Sequence, residues 1–342
     1  MQKFGQADNH SLLRWFDYLV VVRPMLLLPV WTQVILGYYH AALQQDPLSA
    51  VIPIWRPPTQ LVETLVLYSL LVAGCYIVNQ ISDRETDAVN QKLYLVADGL
   101  VKISIITVEA VLLISSGLLW AIARFSGRNP ILLALIVSSA VFGLIYSLPP
   151  IRLKGKPIFD LLANAVGYGG IAFWVGWTST ASFSMEAVTQ SLPYILCVAS
   201  AFINTTLPDI TGDQANGDLT TGALLGKRKA GQLSLAVLLL SIISAYWLQS
   251  WFALVTTLVC LPFFVRMNLL LSSQDRSETI FSDADPEQPN AEVNAIVFST
   301  RIGILTFSVI VSVLLPIYAV LFIGIILLLR WYYATRFGIK YP

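Results

Sequence analysis

The sequence predicts an all-α, polytopic transmembrane bundle of nine to ten helices, and three observations carry that expectation. Of its 342 residues 56% are hydrophobic and only 12% charged, with a mean hydropathy of +0.71; soluble domains carry roughly twice that charge, about 25%. The apolar residues fall in runs of about 20, the length a helix needs to cross ~30 Å of hydrocarbon. Those runs are rich in Leu, Ile, Val and Ala and lack the two-residue alternation of a membrane barrel. The same composition excludes other classes. Twenty-one Lys and Arg against 20 Asp and Glu leave a net charge of +1, too little basic excess for a protein held on nucleic acid by phosphate neutralisation. An acidic disordered chain is excluded by the apolar fraction. Cys75, Cys197 and Cys260 stand far apart inside apolar runs, which predicts buried thiols instead of a disulfide framework. Two histidines, His10 and His40, rule against a multi-histidine metal centre.

Taken in order, residues 1–18 read as an N-terminal amphipathic segment carrying Trp15 and Phe16, with no cleavable signal peptide expected. Spans follow at 19–39, 61–81, 103–123, 130–149, 158–178, 190–208, 230–249, 251–271, 294–314 and 316–333 within one bundle domain, 19–334. The last two could form one broken helix, since Pro316 is the clear interruption between them. Residues 273–293 read as a polar loop with Pro286 and Pro289, and 335–342 as a C-terminal tail. Basic residues concentrate on one side: Arg84, Lys102, Lys156, Lys227, Arg228 and Lys229 lie there, whereas the other side has Arg56, Arg124 and Arg128. By the positive-inside rule both termini face the cytoplasm, as in the inner membrane of a cell.

Polar residues concentrate at the same side. After the second span Asn79, Asp83 and Asp87 recur every four residues, which stacks them on one face of a continuing helix. After the sixth, Asp209 and Asp213 repeat the spacing, 126 residues further on in both cases. The equal offset suggests one helix–loop–helix unit used twice. Like charges stacked on a helix repel, so two such pairs at one membrane face point to a bound cation. Mg²⁺ takes one or two carboxylates together with substrate phosphates. The fourth span ends at Tyr146-Ser-Leu-Pro149-Pro150, followed by Arg152, Lys154 and Lys156; Arg152 and Lys154 suit a diphosphate as readily as they suit anchoring. Arg23 falls in the first span, and Asp160, Asn164 and Tyr168 line one face of the fifth. Asp160 reads as solvated near the interface, and Trp174, Trp177 and Tyr194 as an interfacial aromatic belt.

These motifs resemble those of the UbiA-type intramembrane prenyltransferases. The match runs in order from about Arg23 to Lys229: two aspartate-rich motifs, Asn79–Asp87 and Asp209–Asp213, and between them the Tyr146-x-x-Pro149 turn with its following cations. Where many members continue the first motif with Arg-Pro, this chain has Lys92-Leu93. The resemblance implies nine spans around a central cavity open to the cytoplasmic side. It also implies transfer of a prenyl group from an isoprenyl diphosphate to a hydrophobic acceptor: a quinone precursor, a tetrapyrrole, a carotenoid or a lipid. On that reading Asp83, Asp87, Asp209 and Asp213, with Asn79, hold Mg²⁺. Arg152, Lys154, Lys92, Arg23 and Tyr146 bind the diphosphate. The competing expectation is a membrane transporter with a carboxylate cation site on its cytoplasmic side, disfavoured because transporter sites sit near the midplane.

Overall fold

The computed structural model describes residues 11–46, 54–89, 94–215, 217–274 and 291–338. In chain order its helices are α1 (Ser11–Val20), α2 (Pro24–Gln45), α3 (Thr59–Ser82), α4 (Arg84–Val89) and α5 (Tyr94–Ala97). Then come α6 (Ile103–Phe125), α7 (Pro130–Ser147), α8 (Phe159–Asn164), α9 (Ala172–Thr178) and α10 (Met185–Thr206). The last five are α11 (Ile210–Ala215), α12 (Thr221–Trp247), α13 (Trp251–Gln274), α14 (Ala291–Leu314) and α15 (Pro316–Phe337). No strand occurs among the described residues.

Nine helical stretches among the described residues are long and apolar enough to cross a membrane. A tenth passage, from α8 to α9, is broken: α8 opens into a π-helical stretch, Ala165–Ile171, before α9 resumes. That stretch reads Ala-Val-Gly-Tyr-Gly-Gly-Ile, and glycines weaken the α-helix enough for a wider turn to compete. Cross-chain bonds show the direction of each passage. At one end Asn129 donates to the Thr178 carbonyl and Gln45 to that of Thr180, and the Ile54 amide meets the Leu314 carbonyl. At the other, Tyr332 and Arg336 donate to Asp17, and the Lys102 amide to the Tyr18 hydroxyl. The chain therefore runs up and down, and α1 meets the C-terminal part of α15.

The two C-terminal spans are separate helices. Ser308 and Tyr318 bring their hydroxyls within 3.1 Å, whereas ten residues of continuous helix would hold them ~15 Å apart; the chain doubles back at Leu315. The first span is also corrected: Arg23, with φ 54 and ψ 63, breaks the helix between α1 and α2, and Pro24 restarts it at its first position. The polar loop expected at 273–293 lies mostly outside the described residues, as do residues 1–10 of the N-terminal segment.

Small residues let the central helices touch. A Cβ on Gly37 would lie 2.0 Å from the Phe173 carbonyl oxygen, and one on Gly176 1.8 Å from that of Val34, so α2 and α9 cross backbone on backbone as membrane helices do at small residues. Beside that crossing lies an aromatic core, and here the expected belt is overturned. Trp177 and Tyr194 are 1% and 0% exposed, packed with Phe173, Tyr39 and Tyr318 inside the bundle. Trp174 is half-buried, its indole N–H donating to Ser191. The outward faces of α6 and α7 instead carry aliphatic side chains such as Val108, Leu112, Leu119 and Val141, the surface that hydrocarbon covers. All three cysteines are free and buried.

Candidate active site

A cavity of about 1080 Å³ opens among α2, α3, α7, α10 and α14 at the end that holds both aspartate motifs. Arg23, Asn79, Asp83, Asp87, Asp209 and Asp213 all line it, and so do Tyr146 and Lys154. The structure thus brings eight of the ten expected site residues to one chamber. Helix α3 ends at Ser82, yet the bonding ladder continues: the Asp83 amide donates to the Asn79 carbonyl at 2.9 Å and that of Asp87 to the Asp83 carbonyl at 2.7 Å. The three side chains therefore keep one face although the helix is interrupted. On the other side Asp209 closes a single 3₁₀ turn, Leu207–Asp209, and Asp213 sits in α11. Helices α4 and α11 touch.

The first motif is surrounded by cations. Asn79 donates to Asp83 at 2.9 Å and to Ser147 at 3.2 Å, and accepts from Arg23 at 3.3 Å. Its amide thereby positions Asp83 and Arg23 at the cavity wall. Arg23 also lies 3.9 Å from Asp87. Lys154 is held by a 3₁₀ turn, Leu153–Gly155, and its ammonium pairs with Asp83. Burial pushes the Lys154 amine down to about 8, while Asp218 and Asp213 pull it upward. A weakly hydrated cation at this point is ready to meet an anionic oxygen.

The second motif is held by hydroxyls and a helix terminus. Thr220 caps α12, its hydroxyl accepting from the Ala223 amide and donating to Asp213 at 3.0 Å. Asp160 is only 1% exposed, contrary to the solvated position expected. It accepts from the Thr221 amide at 2.8 Å and from the Thr221 hydroxyl, tying α8 to the start of α12, where amide donors favour a carboxylate. Arg152, in a left-handed conformation at φ 39, donates to Asp218 at 2.9 Å. It does not itself line the main cavity but holds Asp218, which does. Lys92 lies outside the described residues. Sequence inspection missed Thr220, the bond of Thr221 to Asp160 and the structural role of Asp218, since nothing in one dimension links 160 to 221. It also passed over Arg301, which lines the cavity from α14; an arginine inside an apolar run is itself a signal.

The chamber fits a hard cation. Six aspartates line it (Asp83, Asp87, Asp160, Asp209, Asp213 and Asp218) against Arg23, Lys154 and Arg301, with no histidine among the described lining residues. Among the described residues no group of three His, Cys, Asp or Glu could enclose a metal unaided. An ion such as Mg²⁺, which binds one or two carboxylates and completes its shell with phosphate oxygens and water, matches that arrangement.

Residues 30–282 match the family model described as the UbiA prenyltransferase family. The chain is 30% identical over 160 residues to the bacteriochlorophyll synthase 34 kDa chain of Chloroflexus aurantiacus, covering 46% of this chain and 49% of that one. It is 24% identical over 190 residues to digeranylgeranylglyceryl phosphate synthase of Sulfurisphaera tokodaii, covering 55% and 66%. The alignments thus span about half to two thirds of these curated relatives. The fold is similar to that of a UbiA homolog from Archaeoglobus fulgidus solved with GPP and Mg²⁺, with a TM-score of 0.59 and 17% identity over 87% of this chain and all of that one. A second such fold is the UbiA homolog from Aeropyrum pernix K1, with a TM-score of 0.55 and 17% identity over 83% and 97%. By its sequence over most of its length, this chain belongs to the UbiA prenyltransferase family.

Proposed function

We propose that the protein catalyses Mg²⁺-dependent transfer of a prenyl group from an isoprenyl diphosphate to a hydrophobic acceptor within the membrane, the acceptor being a quinone precursor, tetrapyrrole, carotenoid or lipid. The observation that carries this reading is the join of two unlike regions in one chamber: carboxylates and cations at the mouth, apolar walls below. Asp83 and Asp87 would hold one Mg²⁺, and Asp209 and Asp213 a second. When bound, the metal offsets the negative charge that gathers on the leaving diphosphate.

The chain's own residues supply the rest. Lys154 and Arg23 would give N–H donors to the phosphate oxygens, and Asp83, which pairs with Lys154 here, would be among the residues that hold the metal. As the allylic C–O bond breaks, its electron pair leaves with the diphosphate. Tyr76, Tyr146 and Tyr168 line the cavity near this point; their electron-rich rings suit a carbocation. Tyr168 donates to the Tyr76 hydroxyl at 2.7 Å and Tyr76 to the Leu26 carbonyl at 3.0 Å, which keeps these oxygens turned away from attack. The apolar walls exclude the water that would convert the cation to an alcohol. The acceptor's nucleophilic atom then bonds to the prenyl carbon and loses its proton, for which the departed diphosphate is the base at hand.

The charge bias of the loops supports a cytoplasmic mouth, as in an inner membrane, so a cysteine placed at Arg84 should react with an impermeant maleimide only from that side. The catalytic reading is tested by incubating membranes containing the protein with a labelled prenyl diphosphate and a panel of acceptors. Product should form with Mg²⁺ and disappear on chelation. Label appearing only as free prenyl alcohol, or crossing the bilayer unchanged, would overturn it.

A further inference from the structure

The cavity has a measurable depth, and its floor is built. On α3 the lining stripe runs Asp83, Asn79, Tyr76, Val72 and ends at Tyr68; fifteen residues at ~1.5 Å each give about 22 Å. From Asp209, in the 3₁₀ turn that follows α10, it runs down α10 to Cys197, twelve residues or about 18 Å by nearly the same rise. On α2 it ends at Gln33, ten residues below Arg23, which gives ~15 Å below the Asn79 amide that Arg23 contacts, a full turn beneath Asp83. Three helices thus agree on about 20 Å. At that depth the hydroxyls of Tyr68 and Ser139 join α3 to α7 at 2.8 Å. Phe307, the deepest lining residue on α14, stands with its ring 5.7 Å from that of Tyr194 in the aromatic core. None of these helices carries the lining further.

We infer that the chamber is a ruler for the prenyl chain, accepting tails up to four isoprene units, the C20 class, with Tyr68, Ser139 and Phe307 as its stop. An extended five-carbon unit advances about 5 Å, from four carbon–carbon bonds of ~1.5 Å each, so four units fill the shaft below the aspartates. A longer tail meets the Tyr68–Ser139 bridge and must fold or leave the shaft, losing the apolar contact that each earlier unit gained. The inference rests on the proposed prenyl transfer and goes beyond it by naming the chain length and the residues that set it.

The test is equilibrium binding of C10, C15, C20 and C30 prenyl diphosphates, with inorganic diphosphate as the tail-free reference, to the full-length protein in detergent with Mg²⁺. Affinity should rise ~10-fold per added unit up to C20, in keeping with apolar area removed from water less the cost of ordering the tail, and C30 should gain nothing further. Val72→Phe shortens the shaft by one turn and should weaken C20 at least several-fold while leaving C10 unchanged. Tyr68→Ala should let C30 gain affinity. Affinity that climbs past C20 in the unmodified protein, or a break that stays at C20 in both variants while they bind C10 normally, overturns the ruler. If a variant does not fold, the chain-length series on the unmodified protein decides alone. Prenyl diphosphates binding no tighter than inorganic diphosphate would overturn prenyl transfer itself, and the ruler with it.

Discussion

The two aspartate motifs share spacing and cavity but not support. Asp83 and Asp87 stand among Lys154, Arg23 and the Asn79 amide. Asp213 stands against a threonine hydroxyl, in a segment tied down through Asp218 to Arg152 and, by Thr221, to the buried Asp160. An equal offset in sequence thus conceals a division of labour. The first half sets its carboxylates among cations. The second is braced by the Thr220 hydroxyl on Asp213 and by the start of α12, which Asp160 ties down.

Substitutions at five positions separate the halves, from the largest expected effect to the smallest. Asp83→Ala and Asp209→Ala should each lower Mg²⁺-dependent product formation by ~10³-fold or more, because residues acting as one unit fail together; near-normal turnover in either, measured in membranes, would break the equivalence of the two as metal sites. Lys154→Met should cost about 10²-fold, the usual scale for one preorganised donor to a developing anion, with Lys154→Arg recovering part of it. Rates unaffected by the methionine would move the cation's role from the phosphate to the fold. Asp160→Ala should act on stability first: leaving the Thr221 amide and hydroxyl without their buried acceptor costs roughly 2–3 kcal/mol, visible as a lower melting temperature in detergent. Thr220→Val, which removes the α12 cap, should cost ~1 kcal/mol and slow turnover only modestly, measured on the same preparations. A larger effect on rate than on melting would give the second half a chemical part beyond bracing.

Much of this was legible in one dimension. Ten apolar runs gave the passages, since hydrocarbon thickness imposes the same length on each. The four-residue spacing of Asn79, Asp83 and Asp87 gave their common face, because helical bonding persists across Asp83 even where the helix changes direction. Arg23 lies in an apolar run, but the chain breaks there before Pro24, and only the break turns its guanidinium to Asn79. Arg152 stands two residues from Lys154 among cations, yet from its left-handed backbone its side chain reaches Asp218 while Lys154 enters the cavity.

The sequence by itself determined that the chain is built to cross a membrane many times and which carboxylates share one end, because these depend on length, polarity and periodicity along the chain. Only the tertiary structure decided which charges meet, that Asp160 and Trp177 are interior, and how deep the chamber runs. Those depend on the rotation and approach of helices distant in sequence, set by contacts such as Gly37 on Phe173 that no local pattern encodes.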